Sequence, residues 1–369
     1  MFGKFIFRLA QTNLVLFYFL KGIHGLSLTP QKMFFTWKQR FHQVLFVILV
    51  IALCFSWQYV SSDEKTTTLV TCPVGIMGTS CSLCVTVRNC DLQKGNQLLA
   101  KAEAKLRECE MLTSTWIESS EISRLNRARA GERLVLSSFT VKFLKMAKDA
   151  FQKTDGAFDV TCGPLWFHWK KCEKEGRLPD REELELIRAE SSWENLELLK
   201  ETDESGDFQI VKRVDGVSVV TGGLAKGMAI DAALEILAED EAVLSAFVEV
   251  GGDLATFHCS LPIKIDKPND SGSSDSKESK AFRTIYLSDG GVCTSGHYAR
   301  FFLINGEKFS QILNPKTGCP VPRQWTVTVT ASCAAEADYW ATALEVLGKD
   351  GISLLPEGVK AEFFEEKLP

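Results

Sequence analysis

The chain has 369 residues, 45% of them hydrophobic, and a formal net charge of −5. That length can hold one large domain or two ordinary ones, each with a real core, and the near balance of charge excludes the basic footprint of a nucleic-acid-binding protein. Its twelve cysteines show neither paired spacings nor a CxxC…CxxC zinc pattern, so scattered core thiols are expected, not a disulfide framework.

No acidic residue precedes Asp63, whereas Lys4, Arg8, Lys21, Lys32, Lys38 and Arg40 are basic. Residues 1–42 therefore read as a basic cytoplasmic or interfacial segment. The run QVLFVILVIALCFSWQYV, residues 43–60, is long enough to cross a hydrocarbon core and ends in the interfacial aromatics Trp57 and Tyr59. With the positive charge on its N-terminal side, it is expected to be a single span that leaves residues 61–369 facing outward. A cleaved signal peptide is the alternative; the forty residues ahead of the run and the missing small-x-small site weigh against it. The earlier run TNLVLFYFLKG is too short to span and suits an interfacial helix.

From about Val70, strand-like and helix-like segments alternate as in a mixed α/β or α+β domain. SLCVTV reads as a strand, and within the strand-like TSCSLCVTV the odd offset between Cys81 and Cys84 sends them to opposite faces. NQLLAKAEAKLRECEMLTS reads as an amphipathic helix with Leu98, Ala102, Leu106, Cys109 and Leu112 on one stripe. After a serine-rich break, a helix begins at Ser137 or Ser138 and stops at the turn TDG. Asp180 with Glu183 forms a capping-box signature for a helix to about Ala189. The helix after TGGLAKG is predicted to bury Met228, Ala232, Ile236 and Leu237, and AFVEVGGDLATF is a strand broken at Gly251 and Gly252. Residues 267–280 are polar and of low complexity, a flexible loop inside the domain. TVTVTAS alternates strictly as a strand, and a helix follows over about 335–347.

The stretch TGGLAKGMAID fits neither nucleotide fingerprint, GxGxxG or GxxxxGK[ST]. Gly222 and Gly223 still permit close backbone approach, and Lys226 puts a cation at a helix start that itself favours anions. A glycine turn with a solvated lysine explains the stretch equally. In the last helix Asp338 and Thr342 are four residues apart and share a face opposite Trp340, Leu344 and Leu347. That face is either the wet side of an amphipathic helix or two oxygen ligands for a hard cation such as Mg²⁺. DGAFDVTCGPLW and the TSG and NPKTG turns are explained by turn chemistry alone.

Taken in order, MGTSCSLCV, LTSTWIESSEISRLN, GAFDVTCGPLW, GLAKGMAID, VEVGGDLATF, TSGHYARFF, ILNPKTGCPV and EADYWATALEVLG resemble the ApbE family, the FAD:protein FMN transferases, over about residues 76–348. The resemblance implies an α+β domain of tunnelling-fold type, usually tethered to the inner membrane and facing the periplasm. Such an enzyme binds FAD with Mg²⁺, transfers FMN as a phosphoester to a threonine hydroxyl of a target protein, often a subunit of a membrane redox complex, and releases AMP. Carried over by motif, Met77, Trp116, Ala157, Phe158, Asp159, Lys226, Asp231 and Ile312 would contact FAD. The carbonyl of Gly223 with Asp338 and Thr342 would hold the metal.

The chain departs from the family pattern where His-Ile-Ile-Asp-Pro is replaced by Gln311, Ile312, Leu313, Asn314 and Pro315. Gln311 can hydrogen-bond a hydroxyl or phosphate but cannot take its proton. His297 of TSGHY is the substitute candidate, and an exposed turn histidine is its plain reading. Two further activities stay open on this sequence: an FAD pyrophosphatase that uses water as acceptor, and a flavin-binding protein without catalysis.

Overall fold

The protein is described here from a computed structural model covering residues 65–199, 208–266, 281–296, 301–322 and 325–365. The basic segment 1–42, the expected span 43–60, the loop 267–280 and His297 lie outside the described residues. Among the described residues no helix is long and apolar enough to cross a membrane.

In chain order, β1 (Thr66–Thr71), β2 (Val74–Ile76) and β3 (Thr79–Arg88) precede α1 (Leu92–Thr113), α2 (Glu121–Arg127), β4 (Arg133–Leu136), α3 (Ser138–Lys153), α4 (Gly163–Glu175) and α5 (Arg181–Glu190). There follow β5 (Leu196–Leu199), β6 (Phe208–Lys212), α6 (Ala225–Ala238), β7 (Val243–Val250), β8 (Asp253–Asp266) and β9 (Ala281–Ser295). The series closes with β10 (Phe301–Ile304), β11 (Glu307–Ser310), β12 (Trp325–Ala331), α7 (Ala334–Leu347) and β13 (Lys360–Glu365).

The main sheet runs β1-β3-β7-β8-β9-β12-β13, with β2 added on β3; β4-β6-β5 form a second sheet and β10-β11 a hairpin. Every pairing within these sheets is antiparallel, which makes the domain α+β. Period-two alternation explains how the sheet meets its helices. Cys81, Leu83, Val85 and Val87 of β3 and Ala246, Val248 and Val250 of β7 join a core shared with Leu98 and Leu106 of α1, Met228 and Leu237 of α6, and Trp340 and Leu344 of α7. Cys84 pairs across the ladder with Phe247, and both are buried outside that core. Cys81 and Cys84 thus face opposite ways and do not bridge each other.

Local rules set several boundaries. The Ser137 side chain accepts the Thr140 amide and starts α3, and Asp180 and Glu183 complete a reciprocal capping box on α5. Three helix faces differ from the sequence expectation. On α1, Leu112 is half-buried and Thr113 takes its place in the interior, with its hydroxyl donating to the Cys109 carbonyl at 2.7 Å. On α6, Met228 and Leu237 are buried, but Ala232 and Ile236 are half-buried while Ala229, Ile230 and Ala233 are covered. This helix packs on α1, α7 and the sheet at once, so a narrow stripe cannot describe it. On α7 the supposed wet face is dry: Asp338 is only 6% exposed. A smaller core of Leu165, Trp169, Leu184, Phe302, Ile304 and Leu313 joins α4 and α5 to the β10-β11 hairpin.

Candidate active site at the α6 and α7 N-termini

Helices α6 and α7 begin without a side-chain cap of their own, although the first amides of any helix lack intrahelical acceptors. They solve this for each other. Asp231 of α6 accepts the amides of Ala334 and Ala335, each at 2.8 Å, and Asp338 of α7 accepts the amide of Gly227 at 3.0 Å. The exchange needs close approach: a Cβ on Gly227 would lie 2.5 Å from the Ala334 carbonyl oxygen. It also adds to the reading of Asp231. Each of its oxygens accepts one amide from the start of α7, so its observed work is to fix the helix that carries Asp338 and Thr342.

Gly223 stands where the family motif puts the metal carbonyl. Its φ is 86°, and a Cβ there would fall 2.4 Å from Thr342 Oγ1 and 3.2 Å from Phe158 Cε2. Only a residue without a side chain fits this cradle. Phe158, in turn, lies 5.9 Å from Tyr339 of α7 between ring centroids. The segment after it is drawn in by the Val220 amide, which donates to the Val160 carbonyl at 2.9 Å, and by the Cys162–Ser218 bridge. Gly223, Lys226, Phe158, Asp338 and Thr342 are thereby brought together from three separated stretches of sequence.

The structure adds a residue that sequence reasoning missed. Asp253, at the start of β8 after the Gly251–Gly252 turn, is 2% exposed. Its Oδ2 receives a hydrogen bond from Lys226, and its Oδ1 receives the Thr294 amide at 3.0 Å. Asp253, Cys293 and Asp338 are all buried, with ligand atoms within 4.8 Å of one another. The signal was present in the quoted segment VEVGGDLATF: an aspartate right after a paired-glycine turn. Nothing in its period distinguished it from a turn residue.

Electrostatically, two buried carboxylates share one described cationic contact, Lys226. Burial pushes Asp338 above the usual carboxylate range, against the pull of Lys226 and the Gly227 amide. Burial likewise raises Asp231. A divalent cation would relieve this surplus of negative charge, and the oxygen donors suit a hard ion: two carboxylates, the Thr342 hydroxyl and the Gly223 carbonyl. The sulfur of Cys293 donates to the Ala334 carbonyl at 3.3 Å and is a poor partner for such an ion.

Asp159 accepts the Thr161 amide at 2.8 Å and the Thr161 hydroxyl at 2.6 Å. Burial outweighs both bonds and pushes its carboxyl up to about 6. Ala157 and Phe158 are 4% and 2% exposed, so what they can offer a ligand is chiefly backbone. Met77 holds a φ of 49° and donates its amide to Glu110 at 2.8 Å.

A second group lies along the hairpin. Trp116 is 76% exposed and sits edge-on to Trp166 at 6.2 Å, which tilts against Phe302 at 5.9 Å. Exposure excludes a half-buried core role for Trp116 and leaves a ring face open for stacking. Gln311 donates its amide nitrogen to the Phe301 carbonyl at 3.3 Å, and the Ile312 amide donates to Ser310 Oγ at 2.9 Å. The following turn is fixed by Asn314, which accepts the Lys316 amide at 2.9 Å, and by the Lys316–Asp155 ion pair at 2.6 Å. No described contact joins Met77, Trp116, Gln311 or Ile312 directly to the Asp338 cluster.

Comparison with known proteins converges on one family. The sequence profile of the ApbE family matches residues 77–363. The chain is 30% identical over 277 residues to the FAD:protein FMN transferase of Klebsiella pneumoniae (strain 342), covering 72% of this chain and 75% of that one. It is 29% identical over 264 residues to the enzyme of the same name from Chlamydia pneumoniae, covering 68% of this chain and 79% of the relative. The crystal structure of the ApbE protein of Thermotoga maritima superposes with a TM-score of 0.65 at 27% identity, over 81% of this chain and 94% of that one.

Proposed function

The chain belongs to the ApbE family and is a flavin transferase drawing on FAD, and we propose that it moves the FMN half of FAD onto a threonine hydroxyl of an acceptor protein, with Mg²⁺ at the site and AMP as the leaving product. The observation that carries this reading is the pair of buried carboxylates Asp253 and Asp338 with the half-buried Lys226, and with Gly223 and Thr342 beside them. Such a constellation suits the diphosphate of a dinucleotide.

Asp338, Thr342 and the Gly223 carbonyl would hold the metal, with Asp253 within reach of the same position. Mg²⁺ bound there supplies charge neutralisation at the diphosphate oxygens. Lys226, held by Asp253, adds a fixed positive charge on the side of the leaving AMP. Asp231 keeps the start of α7 in place, and with it the spacing of Asp338 and Thr342. In the transfer the threonine oxygen bonds to the FMN phosphorus while the phosphoanhydride P–O bond breaks. The electron pair departs on AMP, whose phosphate takes up the hydroxyl proton. A loose phosphoryl-transfer transition state asks little of a base, so Gln311 serves to orient the hydroxyl through its carboxamide oxygen. Trp116 offers the flavin or adenine a stacking face.

Residues 43–60 would anchor this domain on the outer side of the inner membrane. The positive charge ahead of them and their length support that placement, and a membrane redox-complex subunit is the acceptor class it favours.

The test is a Mg²⁺ titration of FAD binding and AMP release by the metal-stripped chain, beside Asp338→Asn and Thr342→Val. The reading requires AMP release that saturates with Mg²⁺ in the parent chain and needs far higher Mg²⁺ in both variants. AMP release indifferent to metal removal sinks it.

A further inference from the structure

Away from the transfer site, α4 and α5 bring together His168, Cys172 and Glu183, whose ligand atoms lie within 4.8 Å of one another. His168 and Cys172 are four residues apart on α4, so they share a face, and Glu183 comes from the first turn of α5. The histidine side chain is 10% exposed and Cys172 is fully buried.

His168 Nε2 lies 3.5 Å from Cys172 Sγ and 3.3 Å from Glu183 Oε2. A ring nitrogen has one proton or one lone pair along a single axis and cannot serve both neighbours at once. The carboxylate separation is also longer than an ordinary N–H···O bond of about 2.9–3.0 Å. Both separations match a different object. A tetrahedral zinc ion with bonds of about 2.0–2.1 Å to nitrogen, 2.3 Å to sulfur and 2.0–2.2 Å to oxygen has N···S and N···O edges of about 3.6 and 3.4 Å.

We propose that His168, Cys172 and Glu183 form a Zn²⁺ site, separate from the transfer centre, that clips α4 to α5. The fourth position goes to water, because the Glu183 side chain is 35% exposed. On binding, the Cys172 thiol proton passes to solvent and the thiolate bonds to the metal. Arg177 already spans both Glu183 oxygens, at 2.8 and 2.9 Å, which is the outer hydrogen bonding that orients a ligating carboxylate. Thiolate and Glu183 balance the ion, and Arg177 is balanced by Glu175 at 2.8 Å, so the loaded cluster is neutral. The clip would act on the flavin side of the molecule. Trp166 and Trp169 of the same helix pack on Phe302, and Trp166 supports Trp116.

The full-length, metal-stripped chain is titrated with Co²⁺ alone, then with Zn²⁺ alone, reading absorbance and thermal melting. The expected result is one Co²⁺ with a thiolate-to-cobalt charge-transfer band that Zn²⁺ displaces, besides any Co²⁺ taken up without such a band at the transfer site, together with a rise in melting temperature. The band disappears in Cys172→Ser and persists in Asp338→Asn, which disables only the transfer-site position. His168→Gln, which keeps the cysteine, must lower Co²⁺ affinity at least tenfold and supplies the same test if Cys172→Ser unfolds. A parent chain without a thiolate band, a band that survives Cys172→Ser, or His168→Gln with unchanged affinity overturns the site.

Discussion

Gly223→Ala probes the cradle most sharply. The added methyl would lie 2.4 Å from Thr342 Oγ1, 3.1 Å from Thr342 Cβ and 3.2 Å from Phe158 Cε2. Holding a non-glycine residue at a φ of 86° costs about 1–3 kcal/mol. Forcing apart neighbours already packed against one another costs about 1–3 kcal/mol more. Together they predict a loss of roughly 2–6 kcal/mol, which for a domain of this size lowers Tm by roughly 4–12 °C. Displacing the Gly223 carbonyl from Thr342 by a fraction of an ångström should also slow FMN transfer, by about 100-fold if the shift nears 1 Å. Gly222→Ala is the matched control, because nothing lies within 4 Å of a Cβ there and surface changes of this kind stay within about 0.5 kcal/mol. The assay is thermal melting with AMP release at saturating FAD. A Gly223→Ala chain that melts and turns over like Gly222→Ala would refute the cradle.

Asp231→Ala strands two amides at the start of α7 and should cost roughly 2–5 kcal/mol in urea melts, with FAD affinity of the folded fraction little changed; collapsed affinity at unaltered stability would favour a direct contact of Asp231 with FAD. The Asp159 carboxyl stands at about 6 in the fold against an ordinary 3.8, so the folded state prefers its protonated form. Its contribution is complete below about pH 4 and lost as pH rises through about 6, a fall of up to about 3 kcal/mol. Asp159→Asn should flatten that part of the stability profile, and an unaltered profile counts against the assignment. Gln311→His introduces a group that accepts a proton near pH 6.5, so transfer should climb as pH passes that point; a flat profile shows that proton removal never limits this chain.

Much of the fold was legible because its signals are local. The Asp180–Glu183 box, the Ser137 cap, the Gly251–Gly252 break and the alternation of Thr326–Ser332 each depend on neighbours in the sequence, and each element formed where its pattern stood. The site was legible only as separate motifs. Asp231 and Asp338 exchange caps between helices whose N-termini lie more than a hundred residues apart in sequence, and no periodicity encodes such a contact. Asp253 was hidden for the same reason, since its value comes from Lys226 and Thr294 on other elements. The amphipathic reading of α7 failed because a buried polar cluster and a solvated face share one sequence pattern.

The central claim is that a threonine oxygen, and not water, receives the FMN phosphorus. Its most direct test incubates the full chain with FAD, Mg²⁺ and a threonine-containing acceptor fragment, and measures the intact mass of the acceptor alongside AMP. The account predicts an acceptor heavier by one FMN less water, the addition mapped to the threonine, and AMP released in equal amount. AMP with free FMN and an unchanged acceptor would contradict it in favour of hydrolysis, and bound flavin without AMP would contradict catalysis altogether.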